Sequence, residues 1–238
     1  MDRHQRGTTL ISLLVGMVVS MLAILASLTM FRDLMLTSTE AKTDARQEGD
    51  LSLAVLRLDT ELQAVGFNMS RSPGDGRNLD FITLPATAGR SDVAWRFNDG
   101  TQLICRRATS QTADGRYTLD LFNAVAAKCT AAWLLDKTNV ETEANWVFAE
   151  RLVDHRLQNL TTGAAAFTQP LITFSSAAAA DRPCMPFGAV APVAAGATAP
   201  SHPILSIGVF DVATVYSTAA GAAPAVSRPH TLCLANIF

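Results

Sequence analysis

The side chains able to do chemistry in this chain are few and scattered. His155 stands beside Asp154 and five residues after Glu150, a grouping that can supply a base with an orienting acid, but no G-x-S-x-G nucleophile elbow accompanies it. A solvated helix face explains the same residues. His202 and His230 adjoin prolines in segments read as loops, and Glu141 and Glu143 are too sparse to make a metal set. Asp75, between Gly74 and Gly76, has the surroundings of a plain turn and lacks the ligand spacing of an EF-hand loop. Neither a P-loop nor a GxGxxG pattern occurs. No catalytic, cofactor-binding or metal-binding residue is assigned, and the chain reads as a non-enzyme.

Charge argues in the same direction. With 19 Lys and Arg against 21 Asp and Glu, the formal net charge is -2, so there is no basic surplus of the kind that grips a phosphate backbone. Arg106 and Arg107 read as the solvated end of a strand, and nucleic acid is left open as a partner. The four cysteines, Cys105, Cys129, Cys184 and Cys233, have no CxxC spacing, which disfavours a zinc site or a redox pair. An even number in an oxidising compartment favours disulfides. Three pairings are possible; Cys105 with Cys129 and Cys184 with Cys233 are preferred, because each joins neighbouring elements.

The compartment is read from the first 31 residues. A short charged leader, residues 1–7 (MDRHQRG), runs into 24 uncharged residues, 8–31 (TTLISLLVGMVVSMLAILASLTMF). As a helix those residues span about 36 Å, enough to cross a hydrocarbon core of about 30 Å. Arg3 and Arg6 precede the stretch while Arg32 and Asp33 cancel after it, a bias that keeps the N-terminus cytoplasmic and exports the rest. The stretch is longer than a secretory h-region, and residues 24–27 (ILAS) make a poor signal-peptidase site. Loss of Asp2, Arg3 and Arg6, one acid and two bases, would take the net charge from -2 to -3.

Residues 6–15 (RGTTLISLLV) resemble the prepilin cleavage and methylation motif of type IV pilins and type II secretion pseudopilins. The resemblance implies that a prepilin peptidase cuts after Gly7, methylates Thr8 and leaves the apolar helix on the mature chain. It also implies other minor pilins and the major pilin as partners through that helix, with inner-membrane lipid around it beforehand. Two positions depart from the pattern: Thr8 replaces the usual phenylalanine, and Ser12 replaces the usual glutamate at the fifth mature position. In the family that buried glutamate is thought to pair with a neighbour's N-terminal ammonium, because an unpaired charge in an apolar core is costly. Serine is neutral and can bond its hydroxyl to the carbonyl four residues back. Ser12 is either tolerated drift or the mark of a subunit at the filament tip.

Past the membrane stretch, Leu51, Val55, Leu58, Leu62 and Val65 recur at steps of four and three, one face of an amphipathic helix, with Arg57, Asp59 and Glu61 among the charges assigned to the opposite side. Gly49 is a place for the helix to loosen and Gly66 a place for it to stop. Residues 45–69 also resemble the post-membrane region of PilW-type minor pilins, in their leucine and aspartate pattern ending in alanine, glycine and an aromatic residue.

Beyond a Gly, Pro and Asp-rich turn at 70–78 the period changes. Residues 92–107 alternate as a β-hairpin around Asn98 to Gly100, and strands are expected at 79–84, 116–122, 171–175, 204–216 and 231–237. Residues 146–160 fit either a short helix or a strand with an irregular edge. The Ala, Pro and Gly-rich segment 177–203 reads as a loop.

The expected fold class is α+β. The resemblance makes it pilin-like, a long N-terminal transmembrane and amphipathic helix packed on an antiparallel sheet. The expected divisions are a leader at 1–7, a helix at 8–66 with 8–31 in the membrane or filament core, and a disulfide-bonded β-rich domain at 67–238. The implied function is that of a PilW-like minor pilin in type IV pilus assembly or initiation, first in the bacterial inner membrane with a periplasmic domain and then in the pilus. A minor pseudopilin of a type II secretion tip complex and an uncleaved single-pass periplasmic binding or sensor domain are the alternatives.

Overall fold

The computed structural model describes residues 10–69, 80–87, 89–114, 116–125, 129–156, 170–177, 204–210 and 226–234. Helix α1 runs without interruption over Leu10–Leu62, through Gly49, and the described strands are antiparallel, so the layout is α+β. Turns then carry the chain from residue 63 to 68, with Gly66 at φ 70°, the left-handed backbone that glycine adopts without a Cβ penalty. Residues up to 46 and residues from 47 on form two compact units.

In the larger unit, strands β1 (Phe81–Thr87), β2 (Arg90–Asn98), β3 (Leu103–Ala113), β4 (Arg116–Ala124) and β5 (Trp146–Arg156) form a sheet in chain order. Between β4 and β5 lie two five-residue helices, α2 (Ala131–Leu135) and α3 (Lys137–Glu141), and a 3-10 turn. Strands β6 (Ile172–Ala177), β7 (Ile204–Phe210) and β8 (Val226–Cys233) form a second sheet. The hairpin expected at 92–107 is β2 and β3, extended at both ends, and the undecided segment from Trp146 is β5. The strand reading with an irregular edge is the one realised there. Its pairing with β4 skips Leu152 and Ala149, two bulges that twist an edge strand and blunt it against strand addition.

The first sheet is buried on both faces, and strand alternation explains how. Val93, Trp95, Ala108, Leu119 and Leu121 turn to one side, where they pack with Leu51, Leu58, Leu62 and Val65 of α1 and with Ile172, Phe174, Leu205 and Ile207 of the second sheet. Ala94, Cys105 and Leu84 turn to the other and pack with Leu134, Val140 and Trp146. The second sheet meets the first through hydroxyls: the Phe174 and Ile172 amides donate to the buried Ser91 and Ser110 Oγ atoms at 3.0 and 3.3 Å. Those bonds satisfy backbone donors of β6, the edge strand of its sheet among the described residues.

Polar contacts fix where the domain half of α1 lies. Glu61 was placed on the solvated side by its charge, yet it is buried, bonded by Arg57 one turn back at 3.0 Å and by Arg106 of β3. Arg57 also reaches Glu150 of β5 at 3.7 Å. Past the helix, Gly66 N donates to Arg96 O and Asn98 N to Phe67 O, both at 3.0 Å, so the chain continues beside the end of β2 that β1 does not cover.

Candidate functional site

The first candidate site is the apolar half of α1. From Ile11 to Leu36 its large hydrophobic side chains are all exposed, Ile11 at 74% and Leu25, the least, at 50%. This is one helix long and apolar enough to cross a membrane, with none of its most apolar stretch buried within the chain. Its hydroxyls are turned inward on the helix itself: Ser20 donates to Met17 O at 2.8 Å, Ser27 to Ala23 O at 2.9 Å and Thr29 to Ala26 O at 2.9 Å. Such back-bonding lets serine and threonine sit in an apolar medium without an unmet donor. Ser12 lies on this exposed helical stretch. Gly16 has nothing within 4 Å of where a Cβ would stand, so its small size serves no packing inside the chain. Gly7 and Thr8, the expected processing positions, lie outside the described residues.

The second candidate is the outer face of the first sheet. Cys105 of β3 and Cys129 form the expected disulfide, with Cα atoms 5.5 Å apart. Cys233 is disulfide-bonded too, while Cys184, its preferred partner, lies outside the described residues, as does nearly all of the 177–203 loop.

Beside the Cys105–Cys129 bond, Arg107 overturns its expected place at a solvated strand end. It is fully buried: alternation along β3 sends Arg106 toward α1 and Arg107 under the segment that follows β4. Its guanidinium donates to Val140 O at 2.6 Å and to Glu143 Oε2 at 2.8 Å, and it lies 4.5 Å from the Phe122 ring centroid and 5.0 Å from that of Trp146. Arg90 holds the other Glu143 oxygen at 2.7 Å while also pairing with Asp92. Sequence reasoning missed this cluster, although a doublet of arginines on an alternating strand was the available signal that one of them must face inward.

The two ends of the Arg107–Glu143 pair carry unequal desolvation. Burial pulls the Arg107 guanidinium down from its usual value against the support of Glu143. For Glu143, burial alone would push the carboxyl up, but hydrogen bonds and charge from Arg107 and Arg90 outweigh it and hold the group below the usual carboxylate range. A depressed carboxyl stabilises the folded state above its unfolded value, about 4.3, and that contribution is lost as pH falls through the folded value. Acid titration of melting temperature from pH 7 to 3 is therefore expected to fall less steeply in Glu143→Gln than in wild type. Parallel curves would show that Glu143 is not a linked group.

The other titratable residues named by the sequence are dispersed. Asp154 and His155 are on strand β5, not on a helix, and they have separate partners: Asp154 pairs with Arg116 and Arg151, and His155 Nε2 lies 3.6 Å from Asp50 of α1. His230 is on strand β8 rather than in a loop, 3.9 Å from Asp59 of α1. Glu150 goes to Arg57. Among the described residues no group of three His, Cys, Asp or Glu is placed to hold a metal ion. Asp75 and His202 lie outside them.

No protein-family model, no curated protein and no solved structure matches this chain.

Proposed function

We propose that this chain is a minor pilin of the PilW type, held in the inner membrane by residues 8–31 and passed into a filament after a prepilin peptidase cuts behind Gly7. The observation that carries the reading is a single helix in two environments. As far as Phe31 it carries no charge and its large apolar side chains are exposed, while its last turns bury Leu51, Leu58 and Leu62 in the domain core. A soluble protein has no use for so large an exposed apolar surface, which needs lipid or other helices around it.

The residues RGTTLISLLV, at 6–15 of the sequence, favour filament assembly over a plain anchor. Close helix approach is eased at Gly16, Ser20 and Ser27, where small side chains lie on the exposed part. Ser12 in place of the expected glutamate supports a position at the tip, since a serine leaves no charge to be compensated by a preceding subunit. The domain, closed by disulfides, is then the part that meets other minor pilins.

The test is mass spectrometry of the N-terminal peptide of the protein purified from its native membranes. A chain beginning at N-methylated Thr8 is the expected result. A chain retaining residues 1–7, in cells with an active prepilin peptidase, overturns the proposal in favour of a membrane-anchored periplasmic domain.

A further inference from the structure

The two apolar clusters of the domain lie on opposite faces of the first sheet and share no residue. One joins α1 to both sheets; the other exists only because residues 129–145 fold back over Leu84, Ala94, Cys105 and Trp146. We propose that residues 129–145 form a redox-latched cover, a local unit that closes over the outer face when Cys105–Cys129 forms and opens without unfolding the main core when that bond is absent. This inference is independent of the pilin reading.

What holds the cover down is limited. Its two helices have five residues each, too short to persist alone, and it sends two fully buried apolar side chains, Leu134 and Val140, into the contact. Its polar anchors are the Val140 carbonyl and the Glu143 carboxylate on Arg107, with Arg90, and the Asn139 carbonyl, which accepts from Trp146 Nε1 at 3.2 Å, while the half-buried Trp133 lies against the Trp146 ring. Because burial weighs on the Arg107 guanidinium, the ion pair offsets a cost of its own making and adds little to closure. Opening would hydrate Arg107 rather than leave a buried charge unpaired, so nothing in the cluster forbids it. The disulfide is the covalent tie added to these contacts, since it keeps Cys129 at the sheet when they let go.

Closure consumes an oxidant of the disulfide class. One cysteine thiolate attacks that oxidant's disulfide and expels one of its thiolates; the second attacks the mixed disulfide, forming Cys105–Cys129 and releasing the oxidant as a dithiol. Two thiol protons and two electrons leave the chain. Without that oxidant the cover opens readily, and it stays shut once the bond has formed.

The test is hydrogen exchange on the full chain in detergent micelles, comparing wild type with the Cys105→Ala/Cys129→Ala double variant. That variant leaves the disulfide of Cys233 untouched, as a reductant would not. The expected result is at least tenfold faster exchange of amides 131–141, with amides 58–65 and 204–209 unchanged. Equal loss of protection in all three regions, or no change at 131–141, overturns the proposal. Should the variant fail to accumulate, graded reduction of wild type with mass-tagging of thiols decides. Cys105 and Cys129 are expected to label while amides 58–65 stay protected, and labelling that appears only with loss of that protection overturns the idea.

Discussion

Leu58→Ala is expected to cost the domain about 3–4 kcal/mol, while Leu56→Ala, two residues earlier on the same helix, changes its stability by less than about 0.5 kcal/mol. Leu58 is wholly buried among Leu51, Leu62 and the apolar side chains of both sheets, so truncation leaves a void that this two-sided core cannot close without moving one sheet. Leu56 is 61% exposed and points away. Urea midpoints of the full chain in micelles give both values. A Leu56→Ala loss as large as that of Leu58→Ala would mean that the outward face of the helix is covered already in the isolated chain, and the two-environment reading of α1 would fail with it.

Arg107→Ala is the second large effect, and it is local. Truncation removes the donor of the Val140 carbonyl and opens a gap between the Phe122 and Trp146 rings, but Glu143 keeps Arg90 and stays half-exposed. The loss is therefore that of a cavity and one buried acceptor, about 2–4 kcal/mol, or roughly 30- to 900-fold faster exchange of amides 131–141. Arg107→Met fills the gap with no charge to bury and should recover most of the protection, whereas Arg107→Lys, a point charge without the planar fork, should not. Protection in the lysine variant equal to wild type would show that charge alone, not shape, holds the site.

Particular residues mark how far the sequence could be read. The face made by Leu51, Leu58, Leu62 and Val65 is the buried face, because helical periodicity is set by local geometry and needs no knowledge of the partner. The Val93, Trp95 and Phe97 alternation likewise puts those residues on the core side of β2. Cys105 with Cys129, preferred because it joins neighbouring elements, is the pairing observed. The failures are the polar residues. Arg107 and Glu61 were assigned to water by their charge, and β5 could not be separated from a helix because its bulges break the period-2 pattern. The short helices of the cover were also unforeseen. Their caps, Thr130 accepting from Trp133 N and Asp136 from Thr138 N, are ordinary signals, but five-residue helices present no periodicity to find.

What the sequence determined by itself is what depends on neighbours a few residues away: a charge-free stretch long enough for a bilayer, an amphipathic run, an alternating hairpin. Tertiary structure alone decided which charges go inside. Arg107 is 36 residues from Glu143 and Arg106 is 45 from Glu61, and a buried ion is tolerable only where such a distant partner meets it. Burial of an apolar side chain is favourable almost anywhere in a core, so its pattern can be read locally. Burial of a charge is favourable only in one arrangement, and that arrangement exists only once the sheet has brought both groups together.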